Sequence, residues 1–150
     1  MTDNNAAVDS AQKLATRCAK KMFELDQATQ DLKMSIDSVS PGSATLSMTV
    51  TKKMLNGHKT CHGGYIFTLA DSAFAFACNT YNKVTVAAAA DISFLMPVKL
   101  GETLTATAVE KHRAGRSGVY DVTVTNTQNQ TIALFRGKSR TISDKGPLDV

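Results

Sequence analysis

Apolar residues in the first part of the chain recur with helical spacing. Between Asp9 and about Gln27 they fall three or four positions apart, the period of a helix with one apolar face. Asp9 or Ser10 has a side chain suited to cap such a helix. The pattern predicts an N-terminal helix over about residues 9–27. Its apolar positions are Leu14, Cys18, Met22 and Leu25.

The spacing changes after about Leu32. From Ala44 to Val50 every second residue is apolar and the others are Thr or Ser, the pattern of a half-buried strand. A Pro-Gly-Ser turn at residues 41–43 separates this segment from a shorter one that begins at Met34. Two strands joined by that turn are therefore predicted.

The middle of the chain, over about residues 63–80, is apolar on nearly every side of a helix. A helix of that kind belongs in the interior of a domain. Four strand-like segments follow, separated by turns rich in glycine or asparagine. They are Val84 to Phe94, Glu102 to His112, Val119 to Asn126 and Thr131 to Ile142, and a flexible tail is expected over about 143–150.

Together these elements predict one α+β domain over residues 1–150. An antiparallel sheet of five to six strands would wrap around the long central helix, with the N-terminal helix added to it. The central helix lacks a polar face, and the sheet has edges to cover. Both features favour an oligomer.

Composition narrows the classes of partner. With 43% hydrophobic and 20% charged residues among 150, the chain has the make-up of a soluble globular domain. A net charge of +4 is too small and scattered to indicate nucleic-acid binding, although it suits an anionic ligand. The most apolar stretch, Tyr65 to Cys78, contains Asp71 and is too short to span a bilayer. Neither nucleic acid nor membrane is expected as a partner.

Cysteine usage indicates a reducing compartment. Cys18, Cys61 and Cys78 are odd in number and widely spaced, so they support neither a disulfide framework nor a zinc site. The first ten residues are polar and acidic, unlike a secretory signal. A cytoplasmic protein without a zinc site is therefore expected.

Candidate chemistry lies where the loop meets the central helix. The first N–H groups of a helix lack intrahelical partners and lie at its positive end. A carbonyl oxygen against the amide of Gly63 or Gly64 would be polarised as in an oxyanion hole, although a glycine pair also suits a tight turn. Asp71 lies inside the apolar helix, where burial should raise its pKa. It could alternatively bond a neighbouring strand or helix.

The spacing of these groups predicts an assembly. Gly63 and Asp71 are eight residues apart, about 12 Å along a helix at ~1.5 Å per residue. Groups that act on one bond lie within about 3 Å of the reacting atoms. If both act on one substrate, they come from different subunits whose helices run antiparallel. The expected assembly is at least a dimer.

Asn56, the His62-Gly63-Gly64 run and Asp71 together resemble the motif of the PaaI clade of hotdog-fold acyl-CoA thioesterases. The resemblance extends from the first helix to Arg140. It implies a hotdog fold and hydrolysis of acyl-CoA thioesters, such as phenylacetyl-CoA or a hydroxylated aryl-acetyl-CoA of phenylacetate degradation. No cofactor is implied, because coenzyme A is part of the substrate. The clade also suggests a tetramer made of two dimers.

The resemblance implies a role for each position. The Gly63 amide would polarise the thioester carbonyl, and Asp71 of the neighbouring subunit would act as nucleophile or as general base. Asn56 would position the attacking water or the thioester, and His62 would orient the loop. Some relatives carry a water-holding serine eighteen residues after the acid. Ala89 stands there in this chain, so that role is absent or filled by another group.

Binding of the coenzyme A phosphates requires cations. By the family's pattern, Arg116 and Ser117 in the turn between two strands are the implied substrate-binding residues, with Gly64 beside the thioester. Arg136 and Lys138 are weaker candidates, because outward-facing residues of a strand would look the same.

Three other interpretations compete with a thioesterase. A non-catalytic acyl-CoA binding or sensing protein would keep Gly63 and the basic turn but would not need Asp71. A hotdog dehydratase would pair a histidine with the acid, yet His62 precedes the glycines. A nucleophilic Cys61 activated by His62 is disfavoured, because adjacent residues of an extended loop point in opposite directions.

Overall fold

The structure, a computed structural model, describes the backbone of residues 2–149 and the side chains of residues 5–149. The helices are α1 (Thr2–Leu25), α2 (Gln27–Asp31) and α3 (Gly63–Cys78). The strands are β1 (Ser35–Ser40), β2 (Ser43–Thr49), β3 (Val84–Phe94), β4 (Thr103–Ala114), β5 (Ser117–Thr125) and β6 (Thr131–Ser143). Two short 3₁₀ turns cover Lys52–Met54 and Pro147–Asp149.

All six strands form one antiparallel sheet in the order β1-β2-β4-β5-β6-β3. The sheet wraps around α3, which contacts every strand. Leu69, Phe74 and Phe76 of α3 are fully buried there, and burial of a large apolar side chain contributes about 1.5–3 kcal/mol. The predicted hotdog arrangement, an antiparallel sheet around a central helix, is confirmed.

The side chain of Asn79 fixes the end of α3 to the start of β3. Its Nδ2 donates to the carbonyl oxygens of Ala75 and Thr85 at 2.9 and 2.8 Å, and its Oδ1 accepts the Thr85 N–H at 3.0 Å. Because these groups are buried, leaving any of them unpaired would cost about 1–3 kcal/mol. The helix and the strand that follows it therefore keep one relative position.

The N-terminal helix starts earlier than residue 9. It runs from Thr2 to Leu25, so Asp9 and Ser10 lie inside it and the predicted cap there is wrong. Asp9 instead pairs with Lys13 one turn later, a surface contact that supports a continuing helix. The helix also ends two residues early, because Asp26 caps α2 through its bonds to the backbone and hydroxyl of Thr29.

The tail after β6 is packed rather than loose, which corrects the expectation for residues 143–149; Val150 lies outside the described residues. The Leu148 N–H donates to Asn82 Oδ1 at 3.0 Å, and Asn82 Nδ2 donates to Asp149 at 3.1 Å. A Cβ added to Gly146 would lie 2.1 Å from the Asn82 backbone. A distant turn thus holds the tail through contacts that no local pattern indicates.

The two edges of the sheet differ. The β1 edge is partly covered by α1, whose Gln12 Nε2 donates to the Val39 carbonyl at 2.7 Å. The outer edge of β3 has no strand partner within residues 2–149, and this strand is exposed from Val86 to Asp91. Across the same described part of the chain, no helix is both long and apolar enough to cross a bilayer.

Candidate active site

The N-terminus of α3 presents one free amide. His62 is its N-cap residue, and the imidazole Nδ1 accepts the Gly64 N–H at 2.9 Å. Within the described residues the Gly63 N–H has no acceptor. The amide of Gly64 is therefore engaged, whereas that of Gly63 is open at the positive end of the helix.

A cavity of about 490 Å³ lies beside Gly63. Its walls include Ile66 and the apolar segment that ends β3 and follows it, from Phe94 to Pro97. The Phe94 ring, 52% exposed, lies so close that a Cβ on Gly63 would be 2.9 Å from its Cζ. The sequence alone could not separate Phe94 from a core residue. The missing side chain at Gly63 leaves room for this ring.

Cys61 lines the same cavity and is a neutral thiol. Burial raises its pKa to about 11, and its Sγ lies 3.6 Å from the His62 carbonyl oxygen. A nucleophilic cysteine needs a lowered pKa, and the His62 Nδ1 is occupied by the Gly64 N–H, so neither supports a Cys61–His62 pair.

Asp71 lies in a second cavity, of about 460 Å³, between α3 and the start of β3. Its side chain is half-buried and has neither a hydrogen-bond nor an ion-pair partner among the described residues. Burial therefore raises the pKa of this carboxyl above its ordinary value. An unpaired carboxylate in an apolar cavity is well suited to accept a proton or to attack a carbonyl.

One chain does not bring Gly63 and Asp71 together. The two cavities share no lining residue, and the intervening turns of α3 separate the two groups by about 12 Å at ~1.5 Å per residue. A single thioester group within reach of both would have to lie between two copies of the chain.

As the pH is lowered, catalysis that depends on ionised Asp71 should be lost at a higher pH than for a solvated aspartate. The raised pKa keeps the carboxyl protonated, and so inactive, up to a higher pH than for a solvated aspartate. We expect the acid limb of kcat/KM to have its midpoint above the ordinary aspartate value. A stopped assay over pH 3.5–8, with circular dichroism to exclude unfolding, measures it, and a limb at the ordinary value would contradict the prediction.

Asn56 builds the loop before α3. Its Oδ1 accepts the His58 N–H at 2.9 Å and both the N–H and the hydroxyl of Thr60 at 3.2 Å. Its Nδ2 has no acceptor in the part of the chain that the structure describes. The side chain is therefore locked in place by its oxygen and keeps a free donor on its nitrogen.

Ala89 does not face Asp71. It pairs with Lys138 on the face of the sheet away from α3, whereas Ala87 pairs with the buried Ser139 and lines the Asp71 cavity. The register shifts between these two alanines, so Ala88 forms a bulge that the count of eighteen residues cannot reveal. Neither alanine carries a hydroxyl.

Arg116 and Ser117 belong to a basic cluster at the tip of the β4–β5 hairpin, here called the hairpin-tip cluster, which also contains Lys83 and Arg140. Arg116 and Lys83 both pair with Asp144, at 3.1 and 3.0 Å, and Lys83 and Arg116 lower the pKa of that carboxyl. Arg140 donates to the Ser117 hydroxyl at 3.4 Å. The cluster carries three cations against one carboxylate.

The two weaker cation candidates lie elsewhere. Arg136 makes a two-pronged pair with Asp121, at 2.6 and 2.9 Å, on the outer face of the sheet. Lys138 is exposed on the same face and has no ion pair among the described residues. Neither is part of the hairpin-tip cluster.

The cavity around Asp71 also has walls that the sequence did not indicate. Met22 and Leu25 of α1 and Pro147 of the tail line it. These residues are far from Asp71 in sequence, and no local pattern connects them with it. Within residues 2–149, no three His, Cys, Asp or Glu side chains are grouped so as to hold a metal ion.

Comparison with known proteins agrees with this architecture. The model of the thioesterase superfamily matches residues 58–133. Acyl-coenzyme A thioesterase PaaI of Escherichia coli (strain K12) is 50% identical over 124 residues, which are 83% of this chain and 89% of that protein.

Solved structures give the same relation. The E. coli PaaI protein from the phenylacetic acid degradation operon aligns with a TM-score of 0.87 and 48% identity, over 88% of this chain and 96% of that one. A Streptococcus mutans protein bound to acetyl CoA aligns with a TM-score of 0.73 and 29% identity, over 75% of this chain and 91% of that one. By sequence and by fold, the chain belongs to the thioesterase superfamily.

Proposed function

We propose that the chain is an acyl-CoA thioesterase that hydrolyses the thioester between two subunits. One observation carries this proposal: a free amide at a helix N-terminus and an unpaired, desolvated carboxylate lie in separate cavities of one chain. The first can stabilise a developing oxyanion and the second can supply a base or nucleophile.

The proposed dimer joins the free edges of two β3 strands in antiparallel register, so that two α3 helices lie side by side. Support comes from the unpaired edge of β3 and from the exposed apolar side chains along it. Thr68, Asp71 and Ala75 form a half-buried stripe along α3 that a second helix could cover. Antiparallel helices would set Gly63 of one subunit opposite Asp71 of the other.

Hydrolysis then follows from the chemistry of these groups. The thioester carbonyl accepts a hydrogen bond from the Gly63 N–H, which stabilises the negative charge that forms on its oxygen. Asp71 of the other subunit either takes a proton from the attacking water or attacks the carbonyl itself to give a mixed anhydride that water hydrolyses. In both routes the C–S bond breaks and the coenzyme A thiolate leaves. It takes its proton from Asp71 in the first route and from water in the second.

The other residues of the motif have supporting roles in this proposal. The free Nδ2 of Asn56 can donate to the attacking water or to the thioester. His62 holds the first turn of α3 through the Gly64 amide, which leaves the Gly63 amide as the donor. Gly64 contributes space, because a Cβ there would lie 3.0 Å from the His62 imidazole.

The hairpin-tip cluster is the proposed site of the coenzyme A phosphates. Within one chain it lies near Val84, whereas Gly63 lies near Phe94, about 33 Å away along β3 at ~3.3 Å per residue. Antiparallel pairing of two β3 strands would bring the cluster of one subunit close to Gly63 of the other. One subunit would then supply both the acid and the phosphate contacts.

Arg116→Ala is expected to raise KM for acyl-CoA about five- to tenfold with little change in kcat. One exposed charge contact contributes on the order of 1 kcal/mol, and every ~1.4 kcal/mol is tenfold in affinity. Steady-state kinetics at low salt measures this change. Arg136→Ala is the matched control, since this arginine also pairs with a carboxylate but lies outside the hairpin-tip cluster. An equal rise in KM for both variants would contradict the assignment.

The proposal also extends to the acyl group, the assembly and the cellular compartment. An apolar cavity around Asp71 suits phenylacetyl-CoA or a hydroxylated aryl-acetyl-CoA, in keeping with the similarity to PaaI. Exposed apolar side chains on the outer face of the sheet, such as Val109 and Leu134, support a tetramer of two dimers. Three free cysteines suit a reducing cytoplasm.

A panel of acyl-CoA thioesters tests the function. Purified protein is expected to release coenzyme A from acetyl-CoA, phenylacetyl-CoA and decanoyl-CoA at unequal rates, followed by thiol titration. Binding of CoA without hydrolysis of any member would instead indicate the non-catalytic acyl-CoA binding protein.

A further inference from the structure

Two segments far apart in the sequence, the last turn of α1 and the tail after β6, line the cavity around Asp71. One side is formed by α3 and by the start of β3. The other is formed by Met22 and Leu25 in the last turn of α1 and by Pro147 in the tail. These three side chains are apolar, so the part of the cavity away from the carboxylate favours an apolar group.

Asn82 contacts both of these segments. Its Oδ1 accepts the Leu148 N–H at 3.0 Å and lies 3.8 Å from the Cys18 Sγ, and its Nδ2 donates to Asp149 at 3.1 Å. Asn82 has a φ of 54°, and it lies in the turn between α3 and β3. The end of α1, the tail and the helix that carries Asp71 are thus connected through one side chain.

Two faces of α1 line different cavities. Ala19 and Phe23 contribute to a separate groove against β1, whereas Met22 and Leu25, three positions apart, face the Asp71 cavity. Met22 is half-buried, and Leu25 is 63% exposed. Asp26 also borders the cavity, but both of its carboxylate oxygens are bonded to Thr29. Met22 and Leu25 therefore set how far an apolar group can extend.

We propose that Met22 and Leu25 determine the size of the acyl group that the site hydrolyses. This inference rests on the proposed thioesterase function and on Asp71 as its catalytic carboxylate. A thioester carbonyl placed at Asp71 directs its acyl group into the same cavity, where the end of α1 blocks longer chains. Short acyl groups end before they reach α1.

Shortening the two side chains tests the proposal. Met22→Ala and Leu25→Ala are compared with wild type on acetyl-CoA, phenylacetyl-CoA and decanoyl-CoA. We expect the ratio of kcat/KM for decanoyl-CoA to that for acetyl-CoA to rise at least tenfold, because one methylene in a pocket changes kcat/KM by roughly 10–200-fold. Leu25→Trp is expected to lower the ratio of kcat/KM for phenylacetyl-CoA to that for acetyl-CoA.

Val8→Ala is the matched control. Val8 lies in the same helix, is 65% exposed, and is about 21 Å from Met22 along the axis at ~1.5 Å per residue. Its ratios should equal those of wild type. If Met22→Ala does not fold, the largely exposed Leu25 decides the question.

The outcomes separate this inference from the function on which it rests. Unchanged ratios in Met22→Ala and Leu25→Ala, with an active wild type, would overturn the role of α1 and leave the thioesterase intact. Equal losses on all three substrates would show a purely structural effect and would also overturn it. A wild type inactive on the whole panel would refute the function, and the inference with it.

Discussion

Replacement of Asp71 by asparagine is expected to lower kcat about a thousandfold, because a positioned general base contributes roughly 10²–10⁴-fold. Asparagine has nearly the same shape but neither accepts a proton nor attacks a thioester. Among the described residues that line the cavity, the one other carboxylate, Asp26, is bonded to Thr29. Release of coenzyme A from phenylacetyl-CoA, measured for both proteins, gives the ratio.

Asp37→Asn provides the matched control, because Asp37 is an exposed carboxylate on β1, at the opposite edge of the sheet from β3 and away from the cavity. Activity of Asp71→Asn within tenfold of wild type would exclude the proposed role. Replacing Asp71 by asparagine should not destabilise the fold. Because burial raises the pKa of Asp71, the folded state loses stability as the pH rises through that pKa. The uncharged variant should therefore be more stable than wild type at neutral pH.

The two routes open to Asp71 differ in where oxygen from water appears. A single turnover of wild type in ¹⁸O-labelled water would place label in the Asp71 carboxylate if a mixed anhydride forms and water attacks its aspartyl carbonyl. Mass spectrometry of the peptide that contains Asp71 detects this label. A protein treated without substrate supplies the background.

Replacement of Gly63 by proline should lower kcat by about 10²–10³-fold, the effect of removing one oxyanion donor. Proline has no N–H but suits the first position of a helix. His62, with φ −62° and ψ 132°, already has the backbone conformation that precedes proline. The variant therefore removes the donor and retains the start of α3.

Gly63→Ala is the control for the added carbon atom. Its Cβ meets the Phe94 ring at the same place, but the amide donor remains. We expect Gly63→Pro to be at least tenfold slower than Gly63→Ala under saturating substrate. Equal kcat values would mean that crowding by Phe94, and not the lost hydrogen bond, lowers the rate.

Mixing the two inactive variants tests whether the site is shared. In a dimer of Asp71→Asn with Gly63→Pro, one site carries both defects and the other carries neither. Co-expression with two different tags, followed by purification through both, isolates this dimer. About half of the wild-type activity is expected, whereas a site contained in one chain would leave it inactive.

Elements whose signal is local were well predicted. Strict alternation located β2, and an apolar surface on every side located α3 to within two residues of its end. The separation of Gly63 from Asp71 also followed from helix geometry, since the rise per residue is fixed. The cavities at these two residues agree with that separation.

Features that depend on distant contacts could not be predicted. Ala88 bulges out of β3, so counting from Asp71 to Ala89 selects a residue on the wrong face. The His62 imidazole accepts a hydrogen bond from the Gly64 amide and not from that of Gly63. The sequence does not indicate which of the two glycines is bonded. Asn82 holds the tail although 66 and 67 residues separate the bonded groups.

The exposed edge of β3 has a consequence for the newly made subunit. An unpaired strand offers its N–H and C=O groups to any other extended chain, and alanines along Val86–Asp91 provide no charged side chain to block such pairing before Asp91. A lone subunit is therefore open to aggregation. If two chains pair through this edge as proposed, dissociation on dilution would both separate the two halves of the active site and expose the edge. Catalytic activity and protection from aggregation would then rise together with protein concentration.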